Sequence, residues 1–347
     1  MRTVLVTGGS GFFGGLLQTR LLDDGFSVVN VDLVKDPATH ANLTSLQADI
    51  RDVPAMEKVF AEHAVEAVFH CAAMLAHAIK DKRDLWTSNV DGTRNIAELA
   101  KKHKVPKVVF TSSNCLWAKN FHRPVTEEDT PAPIETYGVT KWEGEKILLQ
   151  YTGDFDCTII RTPTIIDCGR LGLLSILFDF ILEGRKVWVV GGGRNRYQFV
   201  YGPDLADACV KAIGHAGSGV YNVGSDDVKS LRDCFEYVAQ KAGTGARVRS
   251  LPRRLTLFAM KVAHVLKISP LGPYHYKMIA EDFCFDTSKI KRDLLWQPTL
   301  TNETMLLRAY EYYRDNKAEI ASRTDADASA HRQPAKMGII KVLKWIS

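Results

Sequence analysis

Short apolar runs alternate with amphipathic stretches along the first half of the chain. Thr3–Thr7 is a β-branched, apolar run that predicts a strand buried on both faces. Leu16, Leu17, Leu21 and Leu22 follow at helical spacing. Ser27–Asp32 predicts a second strand, 43–48 a third, 67–71 a fourth and 108–113 a fifth, with a sixth ending near Arg161. A helix is expected over 85–102, and another opens near Tyr137. Strands alternating with helices in this way predict an α/β fold with a doubly wound parallel sheet.

The second half keeps the alternation but loosens it. Helices are expected near 172–183, from Pro203, near 231–241 and over 303–315, with strands over 186–190 and near Val220. The chain is therefore divided at about residue 165. Residues 1–165 form the main sheet unit, completed by later segments near 195–225. Residues 166–316 supply a smaller α/β lid over a substrate, and 317–347 form a tail.

The junction of the first strand and helix carries chemistry. Gly8, Gly11 and Gly14 fall between them, so a strand, a glycine turn and a helix follow in order. Such a turn lets backbone approach a pyrophosphate, with the helix N-terminus facing the phosphates. This is a Rossmann-type dinucleotide site. The spacing is GxxGxxG, so the strand before it and the helix after it make the case. Asp32 ends the second strand 18 positions beyond Gly14, close to the offset at which a carboxylate bonds the adenosine ribose. A carboxylate there repels a 2′-phosphate, which favours NAD over NADP. Asp49 is placed to meet the adenine amino group and Asp52 to cap a helix. Ala72 and Ala73, small residues after the fourth strand, allow backbone to approach the cofactor.

A second constellation follows the fifth strand. Ser112 and Ser113 end that strand, and Tyr137 and Lys141 lie four apart, on one helix face. A tyrosine of ordinary pKa near 10 needs help to act as a base at neutral pH. A lysine ammonium within reach, together with the positive nicotinamide, favours the phenolate. A strand-end hydroxyl can bridge to the substrate oxygen.

Composition narrows the setting without changing the reading. The chain has 347 residues, ample for a sizeable core, and its net charge of +5 is mild enough that no nucleic-acid partner is required. No apolar run reaches the roughly 18 residues that span a bilayer. The first strand begins by residue 3, which leaves no room for a signal peptide. Seven scattered cysteines with no CxxC pair suit reduced thiols and argue against a zinc site, so a cytoplasmic enzyme without metal is expected.

Taken together, these residues resemble the extended short-chain dehydrogenase/reductase family, in its NAD-dependent epimerase/dehydratase branch. The resemblance spans about residues 3–316. It rests on Thr7-Gly-Gly-Ser-Gly-Phe-Phe-Gly14, Asp32, Asp49-Ile-Arg-Asp52, His70-Cys-Ala-Ala73 and Asn89-Val-Asp-Gly-Thr93. Further along it rests on Ser112-Ser113, Tyr137 to Lys141, Phe199-Val-Tyr-Gly-Pro-Asp204, Tyr221-Asn-Val-Gly224 and Leu295-Trp-Gln-Pro298. It implies Ser113 as the catalytic hydroxyl, Tyr137 as acid/base and Lys141 as its partner. Asn89 matches an asparagine that supports the site. The implied NAD contacts add Phe12, Phe13, Ile50, Ser112 and Pro163 to the residues above. A homodimer through the helices near 85–102 and 136–151 is implied as well.

Substrate class is where the sequence departs from its relatives. Sugar-nucleotide enzymes of the family often carry Asn where Thr164 stands, and a diphosphate-binding Arg where Tyr197 stands. Arg194 and Arg196 flank Tyr197 and are candidate substitutes. A later arginine before Phe285-Asp-Thr-Ser-Lys289 is missing too. Asn114 and Cys115 follow Ser113 in place of the Asp-Glu pair that dehydratases of this kind use, so epimerisation or alcohol oxidation is left. The expected substrate is a nucleotide sugar, bound by Ser113, Asn114, Thr164, Arg194, Arg196 and Tyr197. A hydroxysteroid-type dehydrogenase with exchangeable cofactor, and a regulatory NAD-sensing binder, stay open beside it.

Other signals carry less. His70 and His77 read as structural, Cys115 as a small thiol lining the site, and the arginines at 247, 249, 253 and 254 as a solvated face or an anion site. Residues 322–334 read as a disordered linker. Residues 336–347 alternate lysines with large apolar side chains. That basic amphipathic pattern suits an anionic membrane surface or docking on the same subunit or a dimer mate.

Overall fold

A computed structural model describes residues 2–75, 81–117, 121–266 and 273–322. His77 and the tail beyond Ser322, including the expected amphipathic helix at 336–347, lie outside the described residues. The first half runs β1 (Thr3–Thr7), α1 (Phe12–Asp23), β2 (Ser27–Asp32), β3 (Leu43–Gln47), α2 (Val53–Glu62) and β4 (Val65–His70). It continues through α3 (Lys82–Trp86), α4 (Gly92–Lys102), β5 (Lys107–Ser113), α5 (Thr136–Leu149) and β6 (Asp156–Thr162). Then come β7 (Thr164–Ile166), α6 (Leu174–Leu182), β8 (Lys186–Val190), β9 (Phe199–Tyr201), α7 (Gly202–Gly214) and β10 (Gly219–Asn222). The remaining elements are α8 (Leu231–Ala242), β11 (Arg247–Leu251), α9 (Arg253–Val265), α10 (Pro273–Ala280), α11 (Ser288–Asp293), α12 (Asn302–Asp315) and α13 (Lys317–Ser322).

Among the described residues seven strands form one parallel sheet in the order β10-β6-β5-β4-β1-β2-β3. The chain winds one way from β1 to β3 and the other way from β4 onward, so the crevice lies beside β1, at their carboxyl ends. Side-chain alternation splits the core. Val4 and Val6 face α1 and α7 with Leu17, Leu21 and Leu205, whereas Leu5 joins Phe60, Ile96 and Phe110 on the other face. A third cluster, with Phe178, Leu306 and Tyr310, packs α6, α8 and α12 around β8 and β11.

Two details differ from the sequence reading. Residues near 195–225 were expected to complete the main sheet, but only β10 does so; β9 pairs with β7 in a separate ribbon. The physical reason is Pro163, which has no N–H with which to continue the β6 ladder, so the chain leaves the sheet there. The helix expected over 85–102 starts earlier, at Lys82, with Asp81 accepting from the Arg83 N–H at 2.9 Å. It is also broken by a π-helical turn at Thr87–Asp91, which holds Asn89. Among the described residues no helix is long and apolar enough to cross a membrane.

Candidate active site

The strand registers align the candidate residues along one edge of the sheet. Thr7 sits opposite Val31 on one side and His70 on the other, and Ser113 sits opposite Thr162. At the head of this row the glycine turn is tightly packed. Gly8 has φ +76°, its N–H donates to the Val31 carbonyl at 2.8 Å, and a Cβ there would lie 2.7 Å from the Ala72 backbone. A Cβ on Gly14 would lie 2.0 Å from the Gly8 carbonyl oxygen. Gly11 is the N-cap of α1 and offers no side-chain cap, as an anion-binding helix end requires. Phe12 and Phe13 are buried behind the turn.

Asp32 stands at the rim of this turn. Its carboxylate accepts from the backbone N–H groups of Ser10 (3.1 Å) and Val34 (3.2 Å). Burial nevertheless raises its pKa above the usual carboxylate value. Asp52 accepts from the Ala55 N–H at 3.0 Å and so caps α2. Asp49, expected to meet an adenine amino group, is engaged by Arg51, whose Nη2 lies 2.6 Å away and whose hydrogen bonds lower its pKa. Ile50 is buried against the α4 residue Gly92. Ser112 Oγ is buried without a partner among the described residues. The Gly8–Ala72 cradle, the uncapped helix end and this orphaned hydroxyl fit a dinucleotide.

The second constellation is assembled by the first turns of α5. A Cβ on Gly138 would come 2.3 Å from the Cys115 carbonyl oxygen, so α5 lies directly on the turn Asn114–Leu116 that follows Ser113. Farther along, Glu145 and Arg161 form a buried ion pair at 2.7 Å that ties α5 to β6. Ser113 Oγ accepts from the Cys115 N–H at 3.2 Å, which leaves its own proton for another acceptor. Lys141 is 3% exposed, its ammonium 4.0 Å from the centre of the Phe110 ring, and burial pushes its pKa down to about 8.

Burial raises the pKa of Tyr137, and Arg170 is a nearby cation that lowers it. Arg170 also stacks over Phe12, 5.7 Å from the ring centre, so it links the glycine turn to the tyrosine. Sequence reading missed it because it lies in a loop with no periodicity or motif.

Asn89, expected to support the site and to meet the cofactor, has its amide bonded to the loop after β4 and to α5. Its oxygen accepts from the Met74 N–H at 2.7 Å, and its nitrogen donates to the Met74 carbonyl (3.0 Å) and Thr140 Oγ1 (3.1 Å). It therefore clamps the loop after β4 to α5 and positions Tyr137 and Lys141 indirectly. His70 is fully buried between Thr7 Oγ1 (2.7 Å) and Thr93 Oγ1 (2.9 Å), and burial drives its pKa down to about 3.

The substrate candidates separate into two groups. Asn114 Nδ2 donates to the Tyr197 hydroxyl at 2.7 Å, and Tyr197 is 2% exposed beside Phe199 and Phe283. These two belong to one buried wall next to Ser113. Pro163 is buried and Thr164 half-buried where the chain leaves the sheet. Arg194 and Arg196 are exposed, and no described contact joins either side chain to Ser113, Tyr137 or Lys141.

Comparison with known proteins agrees with this fold. The profile of the NAD dependent epimerase/dehydratase family matches residues 4–224. The chain belongs to that family. It is an NAD-dependent enzyme of the extended short-chain dehydrogenase/reductase branch. A UDP-glucose 4-epimerase of Mycolicibacterium smegmatis is 31% identical over 339 residues, spanning 92% of this chain and 100% of the relative. An uncharacterised protein of Sinorhizobium fredii, y4nG, is 36% identical over 348 residues, 99% of this chain and 86% of its own. Among solved structures, a Thermotoga maritima UDP-glucose 4-epimerase with UDP-glucose superposes with a TM-score of 0.74 at 24% identity, covering 91% of this chain and 99% of that one. The Bordetella bronchiseptica enzyme WbmG in complex with NAD gives a TM-score of 0.74 at 19% identity, over 90% and 94% of the two chains.

Proposed function

We propose that this enzyme is a nucleotide-sugar epimerase that works through transient hydride transfer to tightly held NAD. The reading is supported by Ser113 at the end of β5, by Tyr137 and Lys141 four apart on α5, whose first turn lies on the turn after Ser113, and by Asn114 and Cys115 in place of a carboxylate pair. Curated relatives along most of its length are UDP-glucose and UDP-arabinose 4-epimerases, which supports a UDP-sugar as substrate.

NAD bound against the glycine turn supplies a hydride acceptor that can return the hydride to either face of a ketone. Tyr137 removes the proton from the sugar hydroxyl as the carbon is oxidised and restores it when the carbon is reduced. Ser113, its oxygen held by the Cys115 N–H, directs its proton to the sugar oxygen and orients it. Arg170 offsets part of the burial that disfavours the phenolate, and Lys141, one helical turn along α5, assists the proton transfer. Asp32 would hold the adenosine ribose hydroxyls of bound NAD. Two copies pairing through α4 and α5 complete the reading, and sedimentation tests that pairing.

A second reading is favoured by one feature. Tyr197 occupies the position of a diphosphate-binding arginine, and it stands with Trp117, Phe283 and Phe285 in a continuous aromatic wall. Such a wall suits a dehydrogenase acting on a more apolar alcohol. Acid denaturation of freshly purified protein distinguishes the two. Near-stoichiometric NAD in the supernatant, with epimerisation in a UDP-sugar screen, supports the epimerase. Empty protein that turns over only with added NAD supports the dehydrogenase. Tyr137→Phe should abolish turnover in either case while leaving NAD binding nearly unchanged.

A further inference from the structure

Among the described residues twelve large apolar side chains are exposed, and five of them gather on one helical stretch. They are Leu255 (67% exposed), Phe258 (67%), Val262 (42%), Val265 (77%) and Leu266 (61%). At helical spacing they share an arc of about 100°. The opposite side of α9 faces the protein. Ala263 is buried there, and the Met260 carbonyl accepts the Tyr276 hydroxyl of α10 at 2.9 Å. Arg253 packs its side chain on Gly191 at the helix start. A helix of a water-soluble domain ordinarily turns its apolar stripe inward; α9 turns it to solvent.

The charges that α9 itself carries have one sign. Arg254 and Lys261 are exposed along one edge of it, and Arg253–Val265 contains no acidic residue. A second copy of the same stripe would bring cations against cations. Covering by the chain's own end would do the same, because residues 336–347 hold Lys336, Lys341 and Lys344 and no acid. A layer of anionic headgroups over hydrocarbon satisfies both the apolar arc and its cationic edge.

We infer that α9 is a docking helix for an anionic lipid surface. Leu255, Phe258, Val262 and Val265 enter the headgroup–acyl boundary while Arg254 and Lys261 lie against the phosphates. Attachment of this kind holds the enzyme in the interface plane and needs no membrane-spanning segment.

The test uses the full chain and sedimentation with vesicles of phosphatidylcholine alone or mixed in equal parts with phosphatidylglycerol. The wild-type protein should pellet with the mixed vesicles and far less with phosphatidylcholine alone, and added salt should weaken the binding. Arg254→Ser with Lys261→Ser should lower affinity by roughly fivefold for each cation removed. Phe258→Ser with Val265→Ser should lower it by roughly tenfold or more, since each buried carbon contributes. Both variants change exposed side chains and should keep the wild-type melting temperature and turnover. Wild-type protein that stays in the supernatant, or variants that bind as well as wild type, would overturn the inference. So would a dimer that Phe258→Ser with Val265→Ser converts to monomers while the wild type ignores lipid, because the stripe would then be a self-interface.

Discussion

Replacing Lys141 by Met should make the protein more stable and far less active. Lys141 is 3% exposed, and burial lowers its pKa from an ordinary 10.5 to about 8. A tenfold change in proton affinity is worth about 1.4 kcal/mol, so holding the ammonium charged in the folded state costs about 3 kcal/mol. Loss of the contact with the Phe110 ring takes back about 1 kcal/mol, leaving a net gain of about 2 kcal/mol for the uncharged, similarly shaped Met. The gain depends on pH. Below pH 8 both folded and unfolded chains carry the proton, and the full penalty is present. Between about 8 and 10.5 the unfolded chain holds more protons, so wild-type stability rises with pH and the variant's advantage fades. Urea unfolding of cofactor-stripped protein at pH 7 and pH 10 measures both. Turnover should fall by roughly a hundredfold or more, in line with loss of assistance to a general acid/base. A variant less stable than wild type at pH 7, or a stability gap that ignores pH, would refute the reasoning about burial. Retained turnover would remove Lys141 from the chemistry.

Three other substitutions probe the scaffold. Gly14→Ala places a Cβ 2.0 Å from the Gly8 carbonyl oxygen, so the turn must open; calorimetric titration should show NAD binding lost and stability lower by about 1–3 kcal/mol. Asn89→Ala removes three hydrogen bonds and should cost about 3 kcal/mol. It should lower kcat more than it raises KM, and equal effects on both would contradict a positioning role. His70 is held near pKa 3 when folded against 6.5 when free, so between those values the unfolded chain binds more protons and stability falls as pH drops. Wild-type stability should decline by about 1.4 kcal/mol per pH unit below pH 6, and His70→Gln should flatten that slope.

Most of the fold was legible in the order of residues. Strands such as Thr3–Thr7 are short apolar runs, and their alternation with amphipathic helices leaves a parallel sheet as the economical way to bury both faces. The glycine turn was legible because Gly8 must take a positive φ and Gly14 must leave room for a carbonyl oxygen, constraints that local sequence records. The Tyr137–Lys141 pair was legible because four residues is one helical turn.

What sequence order left open was settled by distant contacts. The partners of Asn89 are 15 and 51 positions away, so its commitment to Met74 and Thr140 has no local signature. Arg170 reaches Phe12 and acts on Tyr137 across 158 and 33 positions of sequence. Asn114 and Tyr197 meet across 83 positions. The pKa of Tyr137 is also a tertiary quantity, since burial and Arg170 set it while Lys141 lies one turn along the same helix. The sequence by itself determined the strands, the helices and the types of chemical group available. Tertiary structure decided which groups face one another and how far each is withdrawn from water, because desolvation and hydrogen bonding depend on neighbours that only the folded chain brings together.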